Sequence, residues 1–178
     1  AENNLKSPTI KFNEVPMREI EKIERAELDD ELFGYVLAES ANLLLMLNEC
    51  DFILDGYKIV LKEQVTLREK DEATRFSTKI VEQKNLLNTN DFKVSVQLDS
   101  WASTLRDLAQ QNEFVLLEDD ENVLIGLGKI IEVGDKQVTL LTFDGAGQFD
   151  EQEVIALEEI CTISFGTSYL RLNAEYSK

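Results

Sequence analysis

Short apolar runs separated by turn-forming residues recur along the whole chain, and this pattern predicts a mainly β protein. In the first half the predicted strand segments are 32–37, 43–47, 52–61 and 65–67. In the second half they are 114–117, 123–133, 137–143, 153–157 and 160–165, preceded by an outlying strand at 92–98. The Asp55-Gly56 pair is a turn signal, so the 52–61 segment is predicted to be a hairpin.

Two short helices are predicted beside the strands. The first rests on Met17, Ile20 and Ile23, which recur at helical spacing. The second follows Ser100, a residue type that favours helix N-caps, and covers 101–108, where apolar residues recur on one face. The predicted fold class is therefore mainly β with short helices (α+β).

A charged and then asparagine-containing segment at 69–90 separates the two groups of predicted strands, and we interpret it as a linker. The predicted organisation has three parts. They are a first small β-barrel unit at 17–75, a linker with the outlying strand at 76–97, and a second small β-barrel unit at 98–178 with a leading helix and a C-terminal tail.

The two groups of strands align as copies of one pattern. Gly34 and the apolar run after it match Gly128, and Val65 matches Ile160. The glycine lies 31 positions before the matched residue in the first copy and 32 in the second, and the alignment puts the extra residue in the first turn. We infer a duplication of one small unit.

A short leading helix and about five short strands, with a glycine in a long bent strand, resemble an Sm-like or SH3-like small barrel. A sharply bent strand tolerates a residue without Cβ, which gives Gly34 and Gly128 a physical role. The tandem arrangement is similar to that of small β-barrel proteins of bacteria. The resemblance implies two tandem barrels and, as an alternative function, RNA binding, with Asn42 standing where Sm-like proteins place an RNA-contacting asparagine.

The charge of the chain favours a different function from RNA binding. The chain has 35 Asp and Glu against 18 Lys and Arg, a formal net charge of −17. Such a surface attracts basic partners and repels phosphates, so we expect a basic protein partner and regard nucleic acid as disfavoured. The other interpretation is that the carboxylates serve only to keep the protein in solution.

The candidate partner-binding residues form two acidic groups in the second half. They are Glu118, Asp119, Asp120 and Glu121, followed by Asp150, Glu151, Glu153, Glu158 and Glu159. A face of this kind suits an inhibitor or immunity-type protein that engages a basic target. A similar acidic turn, 29–31, precedes the first glycine strand, so we expect the turns 29–31 and 118–121 at equivalent ends of the two units.

Catalytic motifs are missing from the sequence. It has no histidine, no GxSxG and no GxxxxGK[ST], so we assign no catalytic residue, metal or cofactor and expect a non-enzymatic interaction module. A carboxylate-based hydrolase stays as a third alternative, because two acidic side chains that converge in a pocket would suffice for it.

Cys50 and Cys161 are far apart and form no CxxC motif, so we expect two buried free thiols in a cytoplasmic protein. No apolar run approaches the roughly 18 residues of a membrane span, and no secretion signal is apparent. Tyr169 and Tyr176 in the tail are the aromatics expected to be exposed. Unpaired sheet edges would also allow a homo-oligomer.

Overall fold

The computed structural model describes residues 10–11, 18–89 and 93–178, and it confirms a mainly β fold with short helices. Its strands are β1 (Ile10–Lys11), β2 (Glu21–Arg25), β3 (Asp30–Glu39), β4 (Leu43–Cys50), β5 (Ile53–Leu61), β6 (Leu67–Glu69), β7 (Lys93–Val94), β8 (Phe114–Glu118), β9 (Leu124–Val133), β10 (Gln137–Phe143), β11 (Phe149–Ala156) and β12 (Thr162–Phe165). Its helices are α1 (Glu72–Gln83), α2 (Leu86–Thr89), α3 (Trp101–Gln110) and α4 (Ser168–Tyr176).

Ten strands form one antiparallel sheet in the order β11-β10-β9-β8-β12-β5-β4-β3-β2-β6, and this sheet is not closed. We call β2 to β6 the first unit and β8 to β12 the second unit. In each unit the last strand returns to pair with the first strand, β6 with β2 and β12 with β8. The two units therefore have the same strand order and are joined edge to edge.

The hydrogen-bond registers of the two units also correspond. Glu21 lies opposite Gly34 in the first unit, and Val115 lies opposite Gly128 in the second. In both glycine strands the register then shifts at the third residue after the glycine, which is the position of a β-bulge. Equal topology, register and bulge position support the inferred duplication.

The position of the extra residue differs from the sequence alignment. Leu44 pairs with Val60 in the first unit, and Val138 pairs with Ile155 in the second. The residue number in the second unit is thus 94 higher than that of its counterpart at Leu44, which corresponds to Val138, and 95 higher at Val60, which corresponds to Ile155. The extra residue lies in the connection between β10 and β11, and the prediction that placed it in the turn after the glycine strand is wrong.

The two repeated glycines make the same close contact. A Cβ at Gly34 would lie 2.0 Å from the carbonyl oxygen of Leu47, and a Cβ at Gly128 would lie 2.2 Å from that of Leu141. Real Cβ atoms do not approach backbone oxygen so closely, so both positions require glycine. This agrees with the role predicted from the sequence.

Residues 21–25 are a strand and not the predicted helix. Ile23 and Arg25 are buried and alternate with more exposed residues, which is strand periodicity. The helical spacing includes Met17, which lies outside the described residues. Pairing with β3 on one side and β6 on the other decides the conformation, and such pairing is not visible in a local pattern.

The predicted linker also proves to be helical over much of its length. Helix α1 begins with a capping box, in which Asp71 accepts from the Thr74 backbone N–H and the Thr74 side chain accepts from the Asp71 backbone N–H. The Thr78 hydroxyl accepts a hydrogen bond from the Ile20 backbone at 3.0 Å, and Val81 is fully buried. Packing of one face against the first unit thus stabilises a segment of polar composition.

The turn between β4 and β5 lies earlier in the chain than the predicted turn at Asp55-Gly56. Asp51 and Phe52, with φ of 50° and 67°, make the turn between β4 and β5, and Asp55 and Gly56 lie inside β5. Gly56 has φ of 75°, and a Cβ there would lie 2.6 Å from the Thr167 backbone nitrogen. This glycine therefore allows the chain before α4 to approach β5.

The remaining secondary-structure predictions are partly confirmed. Helix α3 has the predicted Ser100 N-cap, and the tail forms α4, on which Tyr169 and Tyr176 are exposed. Of the predicted strand at 92–98, only β7 is a strand, and it pairs with β1. Position 92 lies outside the described residues, and the proposed domain boundaries stay predictions.

Replacing Gly34 with alanine should lower the free energy of unfolding by about 1–3 kcal/mol, because the added methyl group must displace backbone. Urea unfolding followed by circular dichroism measures the change. The matched control is Gly145→Ala, where a Cβ meets nothing within 4 Å; its effect should stay within about 0.5 kcal/mol. Equal destabilisation by both variants would contradict the close contact.

Candidate functional site

The two units are joined by β5 of the first unit and β12 of the second, which pair antiparallel from Val60 opposite Thr162 to Tyr57 opposite Phe165. We call this pairing the joint. At its centre Ile59 and Ile163 lie opposite each other and are fully buried, and the rings of Tyr57 and Phe165 stack with centroids 5.0 Å apart. The main apolar cluster includes residues of both units, so the joint is part of the core.

A buried arginine of the first unit forms hydrogen bonds to the second unit. The Arg25 side chain is only 1% exposed and forms a bidentate ion pair with Asp30, with Nε donating to Oδ1 at 3.0 Å. Its Nη1 donates to the Thr162 hydroxyl at 2.7 Å, and Nη2 reaches the Asn122 amide oxygen at 3.4 Å. The Asn122 amide in turn donates to the Leu28 carbonyl at 2.9 Å. The turn between β2 and β3 is thereby bonded to the turn between β8 and β9.

A cleft of about 520 Å³ opens beside these turns, and we call it the acidic cleft. Its lining comes from both units and includes Glu63 and Gln64 of the 3₁₀ turn after β5, and Glu158 and Glu159 of the 3₁₀ turn after β11. Among the described residues, no lysine or arginine is part of the lining. The lining residues are Leu61, Glu63, Gln64, Asp119, Asp120, Ile125, Glu158, Glu159 and Cys161.

Asp119 shapes one wall of the acidic cleft. Its Oδ1 accepts hydrogen bonds from the backbone nitrogens of Glu121 and Val123, each at 2.9 Å, and so orders the turn before β9. Glu24 pairs with β6 in the first unit as Glu118 pairs with β12 in the second. The residues that follow them, Arg25 and Asp119, are therefore counterparts. The first unit buries a cation at this position, whereas the second places a carboxylate on the cleft.

The floor of the acidic cleft contains the buried thiol of Cys161, whose Sγ accepts a hydrogen bond from the Gln64 amide at 3.2 Å. Burial raises the pKa of this thiol, and the nearby carboxylates of Asp120 and Asp119 add to the increase, while the Gln64 hydrogen bond and Arg25 act in the opposite direction. A raised pKa disfavours the thiolate, so Cys161 is a poor nucleophile here.

The cysteine prediction is half right. Both thiols are free, and Cys161 is buried, but Cys50 is exposed because it ends β4 just before the turn. Among the described residues, no group of three or more histidine, cysteine, aspartate or glutamate side chains is arranged to hold a metal ion.

The structure places seven of the nine predicted partner-binding residues at two sites, the acidic cleft and strand β11. The acidic cleft takes four of them, Asp119, Asp120, Glu158 and Glu159. Glu121 is exposed beside the cleft, and Glu118 has a carboxylate oxygen 3.9 Å from the Lys58 Nζ. The other three, Asp150, Glu151 and Glu153, are exposed on β11 at the outer edge of the sheet.

Sequence reasoning missed Glu63, which lies on the cleft from the first unit. The signal that could have found it is the repeat, because the registers make Glu63 the counterpart of Glu158. The acidic turns 29–31 and 118–121 lie at equivalent ends of the two units, as expected, and they are also linked through the Asn122–Leu28 hydrogen bond. Asn42, the candidate RNA contact, donates to the Asp99 carbonyl at 3.2 Å.

The chain was compared with models of protein families, with curated proteins and with solved structures, and none of these comparisons found a match. A further observation concerns membranes: the helices of the described residues are too short or too polar for any of them to cross one.

Replacing Arg25 with leucine should lower the free energy of unfolding by about 3 kcal/mol, because Asp30 loses its partner and the bonds across the joint are lost. Adding Asp30→Leu should recover part of this loss, since no unpaired charge then remains. Urea denaturation gives both values. Arg106→Leu is the control, because its pair with the almost fully exposed Asp135 should matter little. A similar urea midpoint for Arg25→Leu and wild type would contradict the role of the buried arginine.

Iodoacetamide at pH 8 should label Cys50 well before Cys161, because Cys50 is exposed while burial both shields the Cys161 thiol and raises its pKa. Mass spectrometry of peptides from a time course gives the two rates. In urea the rates should become similar. Faster labelling of Cys161 in the folded protein would contradict the described cleft floor.

Proposed function

We propose that this protein is a non-enzymatic interaction module that binds a basic protein surface at the acidic cleft, as an inhibitor or immunity-type protein would. The observation that carries the proposal is the convergence of five carboxylates from both units on one cleft, to whose lining no described lysine or arginine belongs. A lysine or arginine side chain of a partner would supply the charge that the cleft lacks.

The distribution of cations supports this assignment. In the first unit, basic side chains near β6 are already engaged in ion pairs, Lys22 with Glu24 and Glu69, and Arg68 with Glu21 and Glu39. The carboxylates of the first unit are therefore partly neutralised within the chain. The acidic cleft combines five carboxylates from both units, and the negative field of such a cluster accelerates the association of basic partners.

We also propose that each unit is a small barrel of the Sm-like or SH3-like type, although the sheet that contains both is open. Return of the last strand to the first, together with the bulge after the repeated glycine, supports this finer description of the fold. RNA binding is the weaker candidate, because phosphates would meet carboxylates in the cleft. The hydrolase alternative has the same converging carboxylates as its support and stays a prediction.

The proposal is tested by affinity capture. The tagged protein is incubated with lysate of its source, washed at low salt and eluted at high salt, and the eluate is examined by mass spectrometry and by sequencing of nucleic acid. We expect basic proteins in the eluate, because ion pairs at an exposed cleft weaken as salt rises. The double variant Asp119→Lys/Asp120→Lys should lose them.

The matched control for this capture is Glu175→Lys, which changes an exposed charge on α4 outside the lining of the cleft. It should retain the same proteins as the wild type. Recovery of RNA instead of basic proteins, or an unchanged set of proteins with the double variant, would refute binding at the acidic cleft.

A further inference from the structure

The outer edge of β11 is the second place where predicted partner-binding residues lie. Within the described part of the chain β11 is the last strand of the sheet, and no other strand pairs with its outer side. Glu151 directs its backbone N–H and C=O toward the Thr142 hydroxyl of β10. Because successive residues of a strand alternate, the backbone groups of Gln152 and Val154 point to the outer side.

In the joint, the strand of the first unit that corresponds to β11 is paired with another strand. The registers make β11 the counterpart of β5, with Val154 corresponding to Ile59 and Glu153 to Lys58. In the joint the edge of β5 is covered by β12, with Ile163 opposite Ile59 and Ser164 opposite Lys58. No described strand covers the same edge of the second unit, and Val154 is 61% exposed.

The charge at this edge is reversed relative to the joint. Lys58 lies 3.9 Å from the carboxylate of Glu118 on β8, across the intervening β12. The corresponding residue on β11 is Glu153, with Glu151 two residues before it on the same strand face, and both are exposed. A strand that pairs with β11 should therefore have cationic side chains near Glu153, whereas in the joint Ser164 and Glu118 lie near Lys58.

We propose that β11 binds an extended segment of the basic partner by strand addition, with lysine or arginine at alternate positions opposite Glu153 and Glu151 and an apolar residue opposite Val154. This inference rests on the proposed function and names the mode of binding. Main-chain hydrogen bonds to the free edge supply affinity, and the alternate cations supply specificity.

A second copy of this chain fits the edge less well. The counterpart of Ser164 in the first unit is Glu69, which lies on the free edge strand β6. A copy that added its β6 to β11, as β12 adds to β5, would place Glu69 opposite Glu153. Like charges directly opposite each other on paired strands are destabilising, so head-to-tail growth is opposed.

The probe for the test is a fluorescent peptide, Thr-Val-Lys-Thr-Lys-Val, which aligned antiparallel to β11 places its lysines opposite Glu153 and Glu151. Fluorescence anisotropy at low salt gives its Kd with the full chain. Glu153→Lys should weaken binding at least about tenfold, equivalent to about 1.4 kcal/mol. The same peptide N-methylated at its first valine and second threonine should also bind at least about tenfold more weakly, because it lacks the N–H groups that pair with the edge.

Two charge-matched variants complete the test. Glu27→Lys in the first unit and Glu175→Lys on α4 should bind the peptide as the wild type does. Asp120→Lys is measured beside them to separate the acidic cleft from the edge of β11. Loss of binding with Asp120→Lys but not with Glu153→Lys would overturn strand addition while leaving the proposed function intact. Equal binding of the N-methylated peptide, or no binding of either peptide, would also overturn it, and the lysate capture judges the acidic cleft separately.

Discussion

Backbone hydrogen bonds between β5 and β12 join the two units. This pairing converts two five-stranded units into one continuous sheet and buries Ile59 opposite Ile163 at its centre. It also brings the 3₁₀ turn of each unit to the same side of the molecule. Since the acidic cleft takes its lining from both units, it exists only while this pairing is intact.

The two units correspond in topology and register but carry different charges at equivalent positions. At one equivalent position the first unit has Arg25, which is buried and bonded to Asp30 and Thr162, and the second has Asp119 on the cleft. The cation bonds the two units to each other inside the protein, whereas the carboxylate orders the turn before β9 and lines the acidic cleft. The same contrast appears at the sheet edge, where Lys58 of the joint corresponds to Glu153 of β11.

Features that depend on local sequence could be predicted, and features that depend on pairing between distant segments could not. The Ser100 cap and the apolar face behind it are sufficient to define α3. By contrast, 21–25 has helical spacing but pairs with two strands, and α1 has polar composition but packs through Thr78 and Val81. The joint has no local signature at all. The acidic residues could therefore be recognised individually from the sequence. Their division between the acidic cleft and β11, and the position of Glu63 on the cleft, became clear only from the fold.

Hydrogen–deuterium exchange at increasing urea concentrations, read by mass spectrometry, tests most directly whether the joint makes the two units one structure. Peptides from β3 and β4 report on the first unit, and peptides from β9 and β10 report on the second. If the β5–β12 pairing and its buried arginine unite the sheet, protection in both sets should be lost at the same urea concentration. Loss of protection in one unit while the other stays protected would show that the units fold independently, and the acidic cleft could not then depend on the joint.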